Sequence, residues 1–244
     1  MGLLDGKSAV ITGSSRGIGR AVAAAFAEQG ASLVIHGTSE KSLAQLADKL
    51  GCEYVAGDIG ELSTSQRLAE KCVSSFGKID ILVANAGINT RTKFLDLEPD
   101  EWEKVLRVNL TGAFYACKAV IPFMLERHSG SVITMSSSAG KTPHPNASLC
   151  YGVSKGGIDS MTRKLAYDFA PFGIRVNSIC PGPVETDMSL QWTEDYRKKV
   201  LADVPLRRLG TGEDIANLAV FLASDLSGFI TGESININGG KYMN

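Results

Sequence analysis

The sequence predicts an α/β fold: a doubly wound parallel sheet of about seven strands with helices on both faces. Three observations carry that expectation. Short apolar runs alternate with longer amphipathic stretches along all 244 residues. A glycine-rich turn falls at the first strand–helix junction. No proline- or serine-rich linker and no internal repeat breaks the rhythm, so residues 1–244 read as one domain.

The elements follow in order. Residues 8–12 read as a buried strand. Residues 17–29 read as a helix, with Ile18, Val22, Ala25 and Phe26 at helical spacing and Gly30 as its stop. A second strand (32–36) and helix (40–50) follow, then a short strand (54–56) before Asp58 and a helix (65–76) closed by Gly77. Residues 79–84 are a strongly apolar strand. Pro99 sits where a first-turn proline belongs, opening a long helix with Trp102, Val105, Leu106 and Val108. Strands at 131–135, 174–179 and 234–237 and a helix at 151–169 complete the pattern. Residues 185–205 depart from it as a polar, partly helical excursion, with Trp192, Tyr196 and Val200 at four-residue spacing. Right-handed crossovers place the strand C-terminal ends on one edge, where a ligand crevice belongs.

Composition narrows the function classes. The chain is 44% hydrophobic and 21% charged, with a formal net charge of -1. That balance gives no basic face for nucleic acid or acidic membrane surfaces. The five cysteines, Cys52, Cys72, Cys117, Cys150 and Cys180, are odd in number and show no metal-ligand spacing, which suits reduced, buried thiols. The histidines, His36, His128 and His144, do not cluster, so no side-chain metal site is expected. The first seven residues lack a signal-peptide stretch, and no run of consecutive apolar residues is long enough to span a bilayer. The cytoplasm is the expected compartment.

The first strand runs into Gly13-Ser14-Ser15-Arg16-Gly17-Ile18-Gly19, and a helix follows. A side chain here would keep the backbone away from a pyrophosphate, and the helix N-terminus offers free N–H groups and a positive dipole end. The turn therefore predicts a dinucleotide site of Rossmann type. Further along, Tyr151 and Lys155 are four apart and share a helix face. An ammonium near a phenol favours the phenolate, which would let Tyr151 exchange a proton near neutral pH.

The spacing Thr12-Gly13-x-x-x-Gly17-x-Gly19 is one residue longer than the ordinary fingerprint between its first glycines. Here the sequence resembles the short-chain dehydrogenase/reductase family, whose compact members carry T-G-x-x-x-G-x-G. Other marks of that family follow in order: Asn85-Ala86-Gly87, Asn109, the serine cluster from Ser136, Tyr151-x-x-x-Lys155 and Pro181-Gly182. The resemblance spans essentially the whole chain. It extends to 3-oxoacyl-acyl-carrier-protein reductases and related sugar and alcohol dehydrogenases. It implies an NAD(P)-dependent oxidoreductase moving a hydride between the cofactor and a small carbonyl or alcohol.

The resemblance also implies roles. Tyr151 is the general acid in reduction and the base in oxidation, tuned by Lys155, which is expected to hold the nicotinamide ribose. A serine binds the substrate oxygen, and Asn109 anchors a water extending a proton relay from Lys155. The family pattern Ser-Ser-x-x-Gly selects Ser137, because Gly140 fixes the turn and a loop with Pro143 and Pro145 can absorb an extra residue. A fixed spacing back from the tyrosine selects Ser138 instead. Cofactor contacts are implied for Gly13, Ser15, Arg16, Gly17, Ile18 and Gly19, and for Thr38, Asp58 and Ile59. Further contacts are implied for Asn85, Ala86 and Gly87, for Tyr151 and Lys155, and for Pro181, Gly182, Val184 and Thr186. Asp58 would lie near the adenine amine and Thr186 at the carboxamide.

The second strand ends His36-Gly37-Thr38-Ser39. NAD-binding folds of this kind place a carboxylate there, and Gly37 stands at that position. Arg16 can meet a ribose phosphate instead, so NADP(H) is expected over NAD(H), with Glu40 as the contrary sign. For the substrate, Arg91, His144, Trp192 and Tyr196 are candidates from the loops. Acyl carrier protein would be met by arginines; Arg127 matches one such position, but Phe172 stands where another would fall. A catalytically idle nucleotide sensor is the rival class, which the full Asn109, serine, Tyr151 and Lys155 set argues against. A homo-tetramer or homo-dimer is implied, joined through the helices carrying Asn109 and Tyr151. The small residues Gly112, Ala113, Ala116 and Ala119 suit either such an interface or packing on the chain's own sheet.

Overall fold

The computed structural model describes residues 2–185 and 192–243. Seven parallel strands form one sheet: β1 (Ser8–Ile11), β2 (Ser32–Gly37), β3 (Glu53–Ala56), β4 (Ile81–Ala84), β5 (Gly130–Met135), β6 (Ile174–Pro181) and β7 (Ser234–Ile237). Their order is β3-β2-β1-β4-β5-β6-β7. The chain winds outward from β1 to β3, returns to the centre, and winds the other way from β4. The reversal between β1 and β4 is a topological switch point, and it opens a crevice at the strand C-terminal ends.

The helices are α1 (Gly17–Glu28), α2 (Glu40–Leu50), α3 (Leu62–Phe76), α4 (Pro99–Leu106), α5 (Gly112–Glu126), α6 (Leu149–Phe169), α7 (Glu194–Ala202) and α8 (Gly212–Ala223). Successive strand residues point to opposite faces, and the two cores follow that alternation. Ala9, Ile11, Leu33, Ile35, Ile81 and Val83 join α1, α2 and α8 on one face. Val10, Val34, Leu82, Ala84 and Val132 join α3, α5 and α6 on the other. Burial on both faces explains why the strands read as continuous apolar runs. Each fully buried Leu, Ile or Phe, such as Phe26, contributes roughly 1.5–3 kcal/mol.

The predicted elements are present, with ends shifted by a few residues. Helix α8 is one that the sequence reading passed over. Its signal was Thr211 followed by Asp214, which form a capping box: the Thr211 hydroxyl accepts from Asp214 N, and the Asp214 carboxylate accepts from Thr211 N at 2.7 Å. Arg208 grips the same carboxylate with two bonds, at 2.6 and 2.8 Å.

A π turn at Arg107–Thr111 joins α4 to α5 without a break, making a 28-residue helix, Pro99–Glu126. By length and composition this helix could cross a membrane, with mean hydropathy 1.4 over its most apolar window. The sequence hides it because Arg107, Asn109 and Lys118 interrupt the apolar run. In the fold, Ala113, Ala116, Val120, Ile121 and Met124 face the sheet as core. Gly112 and Ala113 are also buried on the chain's own side: a Cβ on Gly112 would lie 2.9 Å from Ile59.

Candidate active site

The switch point opens into a cleft of about 1040 Å³. Its floor begins at the glycine turn. Gly13 (φ 70°) packs so closely that a Cβ would lie 2.7 Å from Ala86 Cα, and a Cβ on Gly19 would meet the Gly13 carbonyl. Gly17 differs: its φ is 55°, and a Cβ would meet no protein atom. Arg16, at the N-cap of α1, is extended and makes no side-chain cap, and no acidic residue occupies the first turn. The first N–H groups of α1 therefore have no side-chain cap, in a place where an anion is stabilised.

Thr12 and Asn85 lock this turn to β4. The Thr12 hydroxyl accepts from Asn85 N and Ala86 N, both at 3.0 Å. Asn85 Nδ2 donates to the Thr12 carbonyl at 2.9 Å and the Gly13 carbonyl at 3.1 Å. At the end of β2, Gly37 faces Ser15, and Arg16, Thr38, Ser39 and Ser42 also line the cleft. Beyond β3, Asp58 accepts from Gly60 N at 2.8 Å and pairs with Arg107 at 2.7 Å. Burial works to raise the Asp58 pKa, but these two partners outweigh it and hold the carboxyl below its usual value. Arg16, Arg20, Lys104, Arg107 and Lys155 line the cleft, with Asp58 its one carboxylate among the described residues. That charge and the uncapped helix N-terminus fit a dinucleotide phosphate.

At the inner end, Tyr151, Lys155 and Ser137 converge. Ser148 caps α6 by accepting from Tyr151 N, which sets the tyrosine in the first turn. Ser137 is extended and accepts from Ala139 N at 3.2 Å, and its hydroxyl acts on the Tyr151 phenol against the effect of burial. Ser138 is 3% exposed and does not line the cleft. Gly140 is required where this turn crosses α6, since a Cβ would lie 2.7 Å from the Lys155 carbonyl carbon.

Lys155 is buried and donates to the Met135 carbonyl at 2.7 Å, with its ammonium 5.6 Å from the Tyr151 ring centroid. Burial lowers its pKa to about 8, against the pull of Asp159 and Cys180. Burial also raises the Tyr151 pKa, and the nearby Ser137 hydroxyl opposes that rise. The sequence expectation that Lys155 lowers it is not met by these side chains: the ammonium is engaged by a main-chain carbonyl, and desolvation of the phenol dominates.

Asn109 lies in the π turn, 1% exposed, behind the cleft rather than on its wall. Its Oδ1 accepts from Ile88 N at 2.8 Å, and its Nδ2 donates to the Ile88 carbonyl at 2.9 Å and to Ser154 Oγ at 3.0 Å. Ser154 Oγ in turn donates to the Tyr151 carbonyl at 2.7 Å. The side chain thus stitches the loop after β4 to α6. Gly87 makes room: a Cβ there would lie 3.3 Å from Asn109 Oδ1 and 3.4 Å from Lys155 Nζ.

The structure brings Gly13, Ser15, Arg16, Gly17, Ile18, Gly19, Thr38, Asp58 and Ile59 into one cleft with Asn85, Ala86, Gly87, Pro181, Gly182 and Val184. Thr186 and the side chain of Tyr196 lie outside the described residues. Arg91, His144 and Trp192 do not line the cleft. His144 is held below its ordinary pKa by burial and by Lys241. Sequence reasoning missed His36, Arg20, Ser42, Lys104 and Arg107 as lining residues. His36 left one signal, a polar residue in an apolar strand. Lys104 and Arg107 left none, because only the folded chain brings them to the cleft, Arg107 against Asp58 and Gly60 in the loop after β3.

Comparison with known proteins agrees with this geometry. Residues 13–241 match the family model described as enoyl-(acyl carrier protein) reductase. The chain is 38% identical over 241 residues to the 3-oxoacyl-[acyl-carrier-protein] reductase FabG of Escherichia coli, covering 98% of each. It is also 38% identical over 256 residues to the oxidoreductase UcpA of Salmonella typhimurium, covering 100% of this chain and 97% of the other. Among solved structures, a 3-oxoacyl-[acyl-carrier protein] reductase from Brucella melitensis superposes with a TM-score of 0.93 at 32% identity, covering 99% and 93%. The protein gox2181 does so at 0.94 and 31%, covering 98% and 96%. The chain belongs to the short-chain dehydrogenase/reductase family and is an NAD(P)-dependent oxidoreductase acting on CH–OH and C=O groups.

Proposed function

We propose that Tyr151 is the proton-transferring residue of a carbonyl reduction or alcohol oxidation, with Ser137 and Lys155 as its partners. The observation that carries this is the convergence of these three side chains at the inner end of the phosphate-fitting cleft. A bound nicotinamide supplies or accepts the hydride. In reduction Tyr151 gives its phenolic proton to the substrate oxygen, and in oxidation it takes that proton back. The Ser137 hydroxyl donates to the same oxygen as charge develops there. Lys155 places a cation beside the phenol and the cofactor ribose. Asn109 holds the loop after β4 against α6 through Ile88 and Ser154, and so fixes the surroundings of Tyr151 and Lys155.

NADP(H) is the proposed cofactor, because Gly37 leaves no carboxylate at the ribose position while Arg16, Thr38, Ser39 and Ser42 line it. The substrate is a small carbonyl or alcohol. A second reading is reduction of a 3-oxoacyl group on acyl carrier protein, which the names of FabG relatives favour. Against it, Arg127 already lies 3.7 Å from Asp80, and Phe172 is 41% exposed where an arginine would help. We also propose a cytoplasmic homo-oligomer built on α5 and α6, where Phe114, Leu149 and Val153 are exposed. The test is oxidation of NADPH and NADH against ketones, aldehydes, sugars and a 3-oxoacyl thioester, with Tyr151→Phe as control. Turnover lost in a folded Tyr151→Phe supports the assignment; turnover retained there refutes it.

A further inference from the structure

The glycine turn is held on both flanks. On the β4 side Asn85 binds the Gly13 carbonyl. On the β2 side the Gly13 N–H donates to His36 Nδ1 at 3.2 Å. The other ring nitrogen, Nε2, lies 3.2 Å from the Gly57 carbonyl. A neutral imidazole donates from one nitrogen and accepts at the other. The Gly13 contact makes Nδ1 the acceptor, so Nε2–H donates to Gly57. Gly57 directly precedes Asp58 and Ile59 on the far wall of the cleft.

His36 is 2% exposed, beside Val34 and Ile35, which are buried and apolar. A polar ring buried there is costly unless its nitrogens are bonded, and here both are. The ring ties the two segments that flank the outer half of the cleft, and the close approach of Gly13 to Ala86 leaves the turn no slack toward β4.

We propose that His36 is a positioning residue of the nucleotide cradle. Its neutral ring spans from Gly13 to Gly57 and fixes the separation between the phosphate-facing turn and the Asp58 loop. This rests on the assignment of the cleft to the nicotinamide dinucleotide. His36→Leu keeps the bulk and removes both bonds, leaving the partly buried Gly13 N–H without its acceptor. The affinity for NADPH should fall roughly tenfold, while kcat at saturating cofactor stays within about twofold. His36→Asn, whose amide oxygen can accept from Gly13, should recover part of the loss.

The experiment is a fluorescence titration of NADPH into wild type, His36→Leu and His36→Asn, with steady-state kcat and thermal melting on each. A merely structural residue would lower the melting temperature without splitting affinity from kcat. Unchanged affinity in a folded His36→Leu, or no recovery in His36→Asn, overturns the proposal. If His36→Leu does not fold, His36→Gln replaces it; that amide reaches the Gly57 side but not Gly13, and it should bind NADPH more weakly than His36→Asn. Equal binding by those two variants and wild type overturns the proposal as well. A wild type that binds neither NADPH nor NADH refutes the assignment of the cleft itself, which the variants alone would not.

Discussion

Replacing Ser137 with alanine removes a hydroxyl that does two things in this structure. It caps the short 3-10 turn Ser138–Gly140 by accepting from Ala139 N, and it opposes the effect of burial on the Tyr151 phenol. Losing the cap should cost about 1 kcal/mol of stability, which leaves the protein folded. Losing a donor to the developing alkoxide should lower kcat by roughly 10²–10³, or about 3–4 kcal/mol of barrier. The phenol also loses the one interaction opposing the effect of its burial, so its pKa rises further. In the oxidation direction, which needs the phenolate, the pH–rate profile should therefore move toward higher pH. Ser138→Ala should change kcat by no more than about threefold, since that side chain is buried away from the cleft. Steady-state kinetics in both directions and thermal melts of the two variants decide it. Full activity in Ser137→Ala with activity lost in a folded Ser138→Ala would refute the geometric reasoning.

Three further outcomes are expected. Gly37→Asp places a carboxylate in the cleft that Arg16 and Thr38 also line, with its Cβ 3.2 Å from the Ser15 side chain; titration should show NADPH affinity falling about tenfold or more relative to NADH, and an unchanged ratio refutes the cofactor proposal. Lys155, lowered from 10.5 to about 8, carries its charge below that pH and loses it above, so kcat/KM should fall as pH rises through about 8; a profile flat to pH 9.5 would contradict the role given to its charge. Burial lowers the His36 pKa from 6.5 to about 4, against the hydrogen bond to Gly57, so the unfolded chain takes up the proton first as pH falls. The His36 contribution to stability is complete above pH 6.5 and is lost as pH falls toward 4, by about 3 kcal/mol in all. Urea unfolding at pH 7 and 4.5 should show that loss shrinking in His36→Leu, and an equal loss in the variant would refute it.

The sheet was legible because strands buried on both faces appear as continuous apolar runs, and the glycine turn marked where the first strand meets its helix. Local chemistry was legible too: Tyr151 and Lys155 on one helix face, Pro99 at a first turn, Gly17 in a turn that needs a positive φ. These properties depend on spacing of a few residues along the chain, and spacing is what a sequence records. Helix α8 was missed although its capping box lay in the sequence, in the long stretch between the polar excursion and the strand at 234–237.

What only the tertiary structure decided are relations between segments distant in sequence. The placement of the two serines depended on how the turn at Gly140 crosses α6, which put Ser137 on the cleft and Ser138 behind it. Asn109, expected at the relay, is buried as a stitch between Ile88 and Ser154. Arg107 meets Asp58 across 49 residues of chain, and His36 joins Gly13 to Gly57. The direction of the Tyr151 pKa also depended on three-dimensional packing. Spacing placed a lysine one helical turn away, but the phenol is desolvated by burial, and the carbonyl that holds the ammonium is that of Met135 on β5. Burial and long-range hydrogen bonds are set by which elements pack together, and no local pattern of residues specifies that.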